Sequence, residues 1–116
     1  MYPSYALGTG DEVERAMDDG YTLAVDISHV FIQRTAGAMT ECVWRRLRDY
    51  PAIAEVHVSA NRGTHDAHQP LTPETFGLDW ARERLASGTP VVLECYMHKM
   101  AERERHGQLA LIGGAR

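Results

Sequence analysis

The sequence predicts an α/β protein built from three parallel strand–helix units. Short, mostly apolar runs of strand length occur at residues 21–27, 53–59 and 91–96. Segments with helical spacing of apolar residues lie before, between and after these runs. The order is therefore helix, strand, helix, strand, helix, strand, helix, which is typical of a parallel sheet with right-handed crossovers.

The first unit is predicted from a cap, an apolar run and a stop signal. Thr9 is a suitable N-cap for a helix over residues 11–19. Residues 21–27 (YTLAVDI) then form a run typical of a strand that is buried on both faces. We expect the next helix over residues 37–48, and Pro51 ends it because proline cannot continue a helix.

The second and third units follow the same plan. Residues 53–59 (IAEVHVS) form the second predicted strand, and a polar stretch over residues 60–69 leaves it. A helix over residues 78–86 leads to the third predicted strand at residues 91–96 (VVLECY), and a last helix covers residues 99–112.

The length favours one domain over residues 1–116. The chain has 116 residues, of which 44% are hydrophobic, so it can bury one modest core. A complete (β/α)8 barrel needs about 250 residues, so three units amount to a partial TIM barrel. Its open sheet edges would need covering by a partner chain or by a second copy of the chain. A small independent three-stranded sandwich is the alternative.

Charge and composition exclude some function classes. The net charge is −4, which argues against a sequence-independent grip on nucleic acid. The N-terminus lacks the features of a secretory signal and the apolar runs are short, so we expect a cytoplasmic protein without a membrane partner. Cys42 and Cys95 have no C-x-x-C spacing and are expected to be buried free thiols.

Each predicted strand carries a residue that can bind a divalent metal at or near its carboxyl end: Asp26, His57 and Glu94. Parallel βα folds place their ligands at this edge, so we expect the three side chains to meet. Their oxygen and nitrogen donors suit Mn, Mg, Zn, Co or Fe. Taken singly, Asp26 is explained as a helix cap and His57 as a core histidine. Glu94 is harder to explain without a partner, because a carboxylate in an apolar strand is unfavourable.

The loops after the first two strands carry further candidates. His29 follows Asp26, and Asp66 and His68 lie one residue apart in the polar stretch, so these three form a candidate second metal site or substrate-binding site. Arg62 is a candidate contact for a sugar hydroxyl or phosphate, with a solvated loop arginine as the alternative. Glu55 has the strand parity of His57 and is a candidate to orient its ring, or else a surface charge.

Four segments of the sequence resemble the xylose-isomerase-like TIM barrels. This superfamily includes sugar isomerases and epimerases as well as metal-dependent apurinic endonucleases. The order and spacing of the segments resemble the last three strand units of such barrels, which implies a C-terminal part. The matching segments are LAVDISH (23–29), EVHVSANRGTHDAHQPL (55–71), GLDW (77–80) and PVVLE (90–94).

The resemblance implies a ligand set and a reaction. Asp26, His57 and Glu94 would be three of the four ligands of the main metal, and the fourth, a glutamate, would come from a preceding strand that this sequence lacks. Glu94 would also be catalytic, sharing proton transfer with that glutamate. The implied function is a metal-dependent isomerase or epimerase acting on a small sugar or sugar phosphate.

Other functions stay open at the level of sequence. In the three-metal endonucleases, positions like His29, Asp66 and His68 hold a further zinc, so an apurinic endonuclease is one alternative. A multinuclear iron oxidase acting on peptides is another. A non-catalytic remnant or one subunit of a split barrel is the non-enzymatic interpretation, because the missing ligand leaves the coordination incomplete.

Overall fold

A computed structural model describes residues 9–65, 67–95 and 100–113 of the chain, and these residues form a single α/β unit. The α/β class predicted from the sequence is confirmed. In chain order, the elements of the described residues are α1 (Gly10–Asp18), β1 (Leu23–Asp26), α2 (Ile27–Thr35), α3 (Glu41–Asp49), β2 (Ile53–Val58), α4 (Leu78–Ala86), β3 (Val91–Leu93) and α5 (Glu102–Gly113).

The three strands form one parallel sheet in the order β1-β2-β3. β2 is central, and its His57 pairs in register with Asp26 of β1 and with Val92 of β3. Side chains alternate between the two faces of a sheet, so residues opposite one another point to the same side. The parallel arrangement predicted from the alternation of elements is therefore confirmed for the described residues.

One face of the sheet belongs to the hydrophobic core. Val25, Val56 and Val58 point to this face and are almost completely buried. Helix residues of the same core cluster, such as Val30 of α2 and Trp44 of α3, pack with them. Burial of this apolar area provides the main stabilisation of the fold.

The other face carries the polar strand residues. Asp26 and His57 point there because they are paired in register, and Glu94 lies on the same side two residues beyond Val92. None of these four residues is fully buried, and Val92 is 40% exposed. The alternation that buries the valines therefore presents the polar residues on the opposite face.

Helix α2 was not predicted from the sequence. The apolar run suggested a strand through Ile27, but α2 begins at that residue because Asp26 acts as its N-cap. The helix expected from Gly37 begins later, at Glu41 with Thr40 as N-cap. Gly37 has a φ of 77°, a left-handed conformation that ends α2 rather than starting α3.

Two further boundaries and one cysteine also differ. β1 begins at Leu23 rather than at Tyr21, whose side chain is 63% exposed. β3 ends at Leu93, and part of the remaining predicted strand, residue 96, lies outside the described residues. Cys95 is buried as expected, but Cys42 is exposed. The prediction of a buried thiol at Cys42 is wrong because that position faces away from the buried side of α3.

A long connection between β2 and α4 is fixed to the rest of the molecule at two places. Ala60 and Gln69 form an antiparallel bridge that closes its first part. Leu71 is then held by the buried side chain of Gln108, which accepts from the Leu71 amide at 2.6 Å and donates to its carbonyl oxygen at 3.0 Å. These contacts position the polar stretch beside the carboxyl ends of the strands.

Candidate metal centre

The three strand-end residues predicted as metal ligands lie together. Asp26, His57 and Glu94 each offer one ligand atom, and these atoms all lie within 4.8 Å of one another. Asp26 ends β1, His57 lies near the end of β2, and Glu94 follows β3. The in-register pairing of the strands brings the residues together although they are distant in sequence. All three are partly buried, so they are shielded from solvent without being closed off from it.

His57 lies between two carboxylates. Its Nδ1 is 2.9 Å from Oε2 of Glu94, and its Nε2 is 2.6 Å from Oε1 of Glu55. Burial lowers the pKa of His57, but the hydrogen bonds and charges of both glutamates outweigh that effect and raise it above its ordinary value of 6.5. The contact predicted between Glu55 and the ring is confirmed, and it fixes the ring plane.

Asp26 is both the N-cap of α2 and a member of the cluster. Oδ1 accepts hydrogen bonds from the backbone amides of Ser28 and His29, which caps α2. The helix cap predicted at Asp26 is thus confirmed, and the same residue lies in the cluster, where its role as a metal ligand stays a prediction. Burial raises the pKa of Asp26, but the hydrogen bond from the Ser28 side chain and the charge of His29 outweigh it and lower the pKa below 3.8. Asp26 is therefore held in its ionised form.

Glu94 is fixed through its backbone. Its amide donates to the carbonyl oxygen of Val58 at 2.8 Å, which continues the ladder one residue past β3. Its carbonyl oxygen lies 2.9 Å from Nδ1 of His68, a residue with a left-handed backbone at φ 49°. A non-glycine residue adopts that conformation at an energetic cost, so surrounding contacts must hold it. The contact between His68 and the backbone of Glu94 is one of them.

The second predicted group is placed only in part. His29 lies beside the first cluster, with its Nε2 3.7 Å from Oδ2 of Asp26. His68 contacts the backbone of Glu94 as described, and Arg62 is exposed on the connection after β2. Asp66 lies outside the described residues, so the trio of His29, Asp66 and His68 stays a prediction.

Two residues of the site were missed at the level of sequence. The Ser28 hydroxyl donates to Oδ1 of Asp26 at 2.6 Å, which helps to keep the carboxylate ionised. Asn61 donates from Nδ2 to the carbonyl oxygen of Ser28 at 3.1 Å and accepts from the Gly63 amide at 2.7 Å. A small polar residue two positions after a capping aspartate is a signal that would have identified Ser28.

The electrostatics of the cluster favour a cation. Asp26, Glu55 and Glu94 place three carboxylates around a single imidazole, and like charges in a partly buried space repel one another. A divalent cation bound by Asp26, His57 and Glu94 would neutralise that repulsion. One nitrogen and two carboxylate ligands without cysteine form a donor set that suits a catalytic rather than a structural metal site.

Comparisons of the chain with protein-family models, with curated proteins and with solved structures found no match. Within the described part of the chain, no helix combines the length and apolar character needed to cross a lipid bilayer.

Proposed function

We propose that this chain supplies three adjacent units of a partial TIM barrel of the xylose-isomerase-like kind and acts in the metal-dependent isomerisation or epimerisation of a small sugar or sugar phosphate. The observation that carries the proposal is the convergence of Asp26, His57 and Glu94 at the carboxyl edge of a parallel sheet, with ligand atoms within 4.8 Å. Parallel βα folds bind their ligands at this edge.

The donor set fits a divalent metal such as Mn, Mg, Zn, Co or Fe. Asp26 would bind through Oδ2, because its Oδ1 is already engaged by the capping hydrogen bonds. His57 would bind through Nδ1, because this nitrogen faces Glu94 within the cluster, whereas Nε2 faces Glu55 outside it. When bound, such a metal polarises a carbonyl and a neighbouring hydroxyl group of the substrate and lowers the pKa of the oxygen it contacts.

Proton transfer is assigned to Glu94. A carboxylate has two oxygens, so one oxygen can be a ligand while the other takes a proton from the carbon next to a carbonyl and returns it. The contact of its backbone with His68 and the continued ladder to Val58 hold the residue in place. Arg62, exposed at the same edge, is assigned to the hydroxyl or phosphate groups of the substrate.

Another polypeptide would complete the site. The three residues leave room in a four-coordinate or six-coordinate shell, and the polar face of the sheet carries Val92 at 40% exposure. A partner chain or a second copy that pairs with an open edge of the sheet, β1 or β3, would extend the sheet and contribute the fourth ligand. Added metal would then stabilise the assembly as well as the chain.

Hydrogen exchange into substrates tests the proposal. The protein is incubated in D2O with Mn2+ and a panel of ketoses and ketose phosphates, and NMR measures deuterium entering the carbon next to the carbonyl. We expect exchange that requires the metal and disappears in Glu94→Gln. Glu83→Gln, which changes an exposed glutamate of α4, is the matched control and retains the exchange. Absence of metal-dependent exchange with every substrate, in protein shown by titration to bind Mn2+ through Asp26, His57 and Glu94, would overturn the proposal.

A further inference from the structure

A cleft lies beside the metal centre, between the start of α2 and the connection that follows β2. Its volume is about 470 Å³, within the range of roughly 300–1,000 Å³ that is usual for small-molecule sites. Ser28 lines it and also donates to Asp26, so the cleft adjoins the cluster. We call it the α2 cleft, and the lining residues that matter below are Ile27, Phe31, Ser59, Arg62, Glu74 and Phe76.

Ser59 contributes a hydroxyl that lacks a partner. The residue is 2% exposed, and its buried Oγ has no hydrogen-bond partner. No other buried side-chain oxygen or nitrogen of the described residues lacks one. Buried polar groups are nearly always hydrogen-bonded, because leaving one unpaired is unfavourable. Since Ser59 lines the α2 cleft, a ligand in the cleft is a suitable source of the missing partner.

Two charged side chains of the cleft also lack an ionic partner among the described residues. Arg62 and Glu74 are exposed, and neither forms an ion pair within the described part of the chain. A guanidinium at the edge of a cleft is suited to a carboxylate or a phosphate, which it binds with two parallel hydrogen bonds. The negative charge of Glu74 repels negative charge on a ligand in the cleft, so a monoanion should bind better than a doubly charged phosphate.

The remaining lining is apolar. Phe31 and Phe76 stack with their ring centroids 5.0 Å apart, and Ile27 continues this wall at the start of α2. Apolar and aromatic walls with a few polar groups are typical of sites for small organic molecules. This combination suits a ligand with an apolar body and one charged end, which is a different chemistry from that of a free sugar.

We propose that the α2 cleft binds a small organic monocarboxylate. The carboxylate pairs with Arg62, in competition with the substrate group assigned to that residue above. The Ser59 hydroxyl donates to an oxygen of the ligand, and the apolar body lies against Phe31 and Phe76. The proposal does not depend on a metal or on isomerase activity, because neither the cleft nor these contacts require an ion at the neighbouring cluster.

NMR titration of the 15N-labelled protein with 3-phenylpropionate, in the presence of EDTA, tests the proposal. We expect saturable shifts for the amides of residues 27–31, 59–62 and 74–76. The uncharged analogue 3-phenylpropanol should bind at least about tenfold more weakly, since it lacks the charge-assisted hydrogen bonds. Inorganic phosphate should cause weaker shifts than the carboxylate. Unsaturable shifts, or equal binding of the alcohol, would overturn the proposal.

Variants separate the contacts. Arg62→Gln should weaken binding by about tenfold, whereas Arg82→Gln, an exposed arginine of α4 outside the cleft, should leave it unchanged. Ser59→Ala should weaken binding without lowering the midpoint of unfolding, because the hydroxyl forms no hydrogen bond in the free protein. Retained affinity in Arg62→Gln would contradict the assignment. The EDTA keeps this result separate from the outcome of the metal-dependent exchange experiment.

Discussion

Glu94 Oε2 lies 2.9 Å from Nδ1 of His57, so a residue just past β3 contacts a side chain of the central strand directly. The other ring nitrogen is 2.6 Å from Glu55. His57 is thus oriented from one side and faces the cluster from the other. A carboxylate behind a histidine ligand fixes its ring and increases its basicity, and this relationship leads to the first two predictions.

Removing the charge of Glu55 should weaken metal binding. Glu55→Gln retains the shape of the side chain but loses the carboxylate behind Nε2 of His57. We expect the affinity for Mn2+ to fall by about 10-fold to 100-fold, as is usual for partners of metal-binding histidines. Isothermal titration calorimetry measures the change. Glu83→Gln removes the same charge from an exposed position on α4 and should leave the affinity unaltered; equal affinities for both variants would contradict the role of Glu55.

The pKa of His57 in the metal-free protein should lie above 6.5, because Glu55 and Glu94 stabilise its protonated form. Because the pKa is higher in the folded state than in the unfolded state, protonation of His57 stabilises the fold. This contribution to stability is complete below pH 6.5 and is lost as the pH rises through the raised pKa. NMR of the ring protons measures the pKa, and thermal unfolding measures the stability. His57→Gln should lack this pH dependence, and a measured pKa at or below 6.5 would exclude the explanation.

The buried side chain of Gln108 should be important for stability. It forms both hydrogen bonds of the Leu71 backbone, at 2.6 and 3.0 Å. Gln108→Leu leaves two buried backbone groups unpaired, so the free energy of unfolding should fall by about 2–4 kcal/mol. Urea unfolding measures it. Arg103→Leu, at an exposed position of the same helix, should change the free energy by only about 0.5 kcal/mol. A similar small effect for Gln108→Leu would show that the two bonds contribute little.

Gly77 and Gly20 offer a matched pair for separating backbone strain from steric overlap. Both have a left-handed backbone, with φ of 75° and 76°. A Cβ at Gly77 would come within 2.5 Å of the buried Ile27 side chain. A Cβ at Gly20 would have no neighbouring heavy atom of the described residues within 4 Å. Both alanine variants should lose about 1–2 kcal/mol through backbone strain, and Gly77→Ala should lose roughly 1–3 kcal/mol more through overlap. Equal losses in urea unfolding would mean that Ile27 moves aside freely.

The arrangement of the sheet and the main cluster was predictable because each depends on a short-range pattern. Apolar runs located the strands, and the carboxyl-edge rule then placed Asp26 beside His57. Helix α2 was missed because its first residues continue the apolar run of β1, and the start depends on a side-chain cap that periodicity does not reveal.

The contacts around the cluster were harder to predict. The hydrogen bond between His68 and the backbone of Glu94 joins residues 26 positions apart, and a left-handed histidine has no reliable sequence signal. The exposure of Cys42 depends on which face of α3 packs against the core, and Val43, Trp44 and Leu47 form that face. Such features are set by tertiary packing rather than by local pattern.

Crystals soaked in Mn2+ and measured at a wavelength where the metal scatters anomalously will show whether Asp26, His57 and Glu94 hold one cation. We expect an anomalous peak about 2.0–2.3 Å from Asp26, His57 and Glu94 that is absent in crystals of His57→Ala. A peak at another position, or no peak among these three residues in a folded protein, would contradict this expectation.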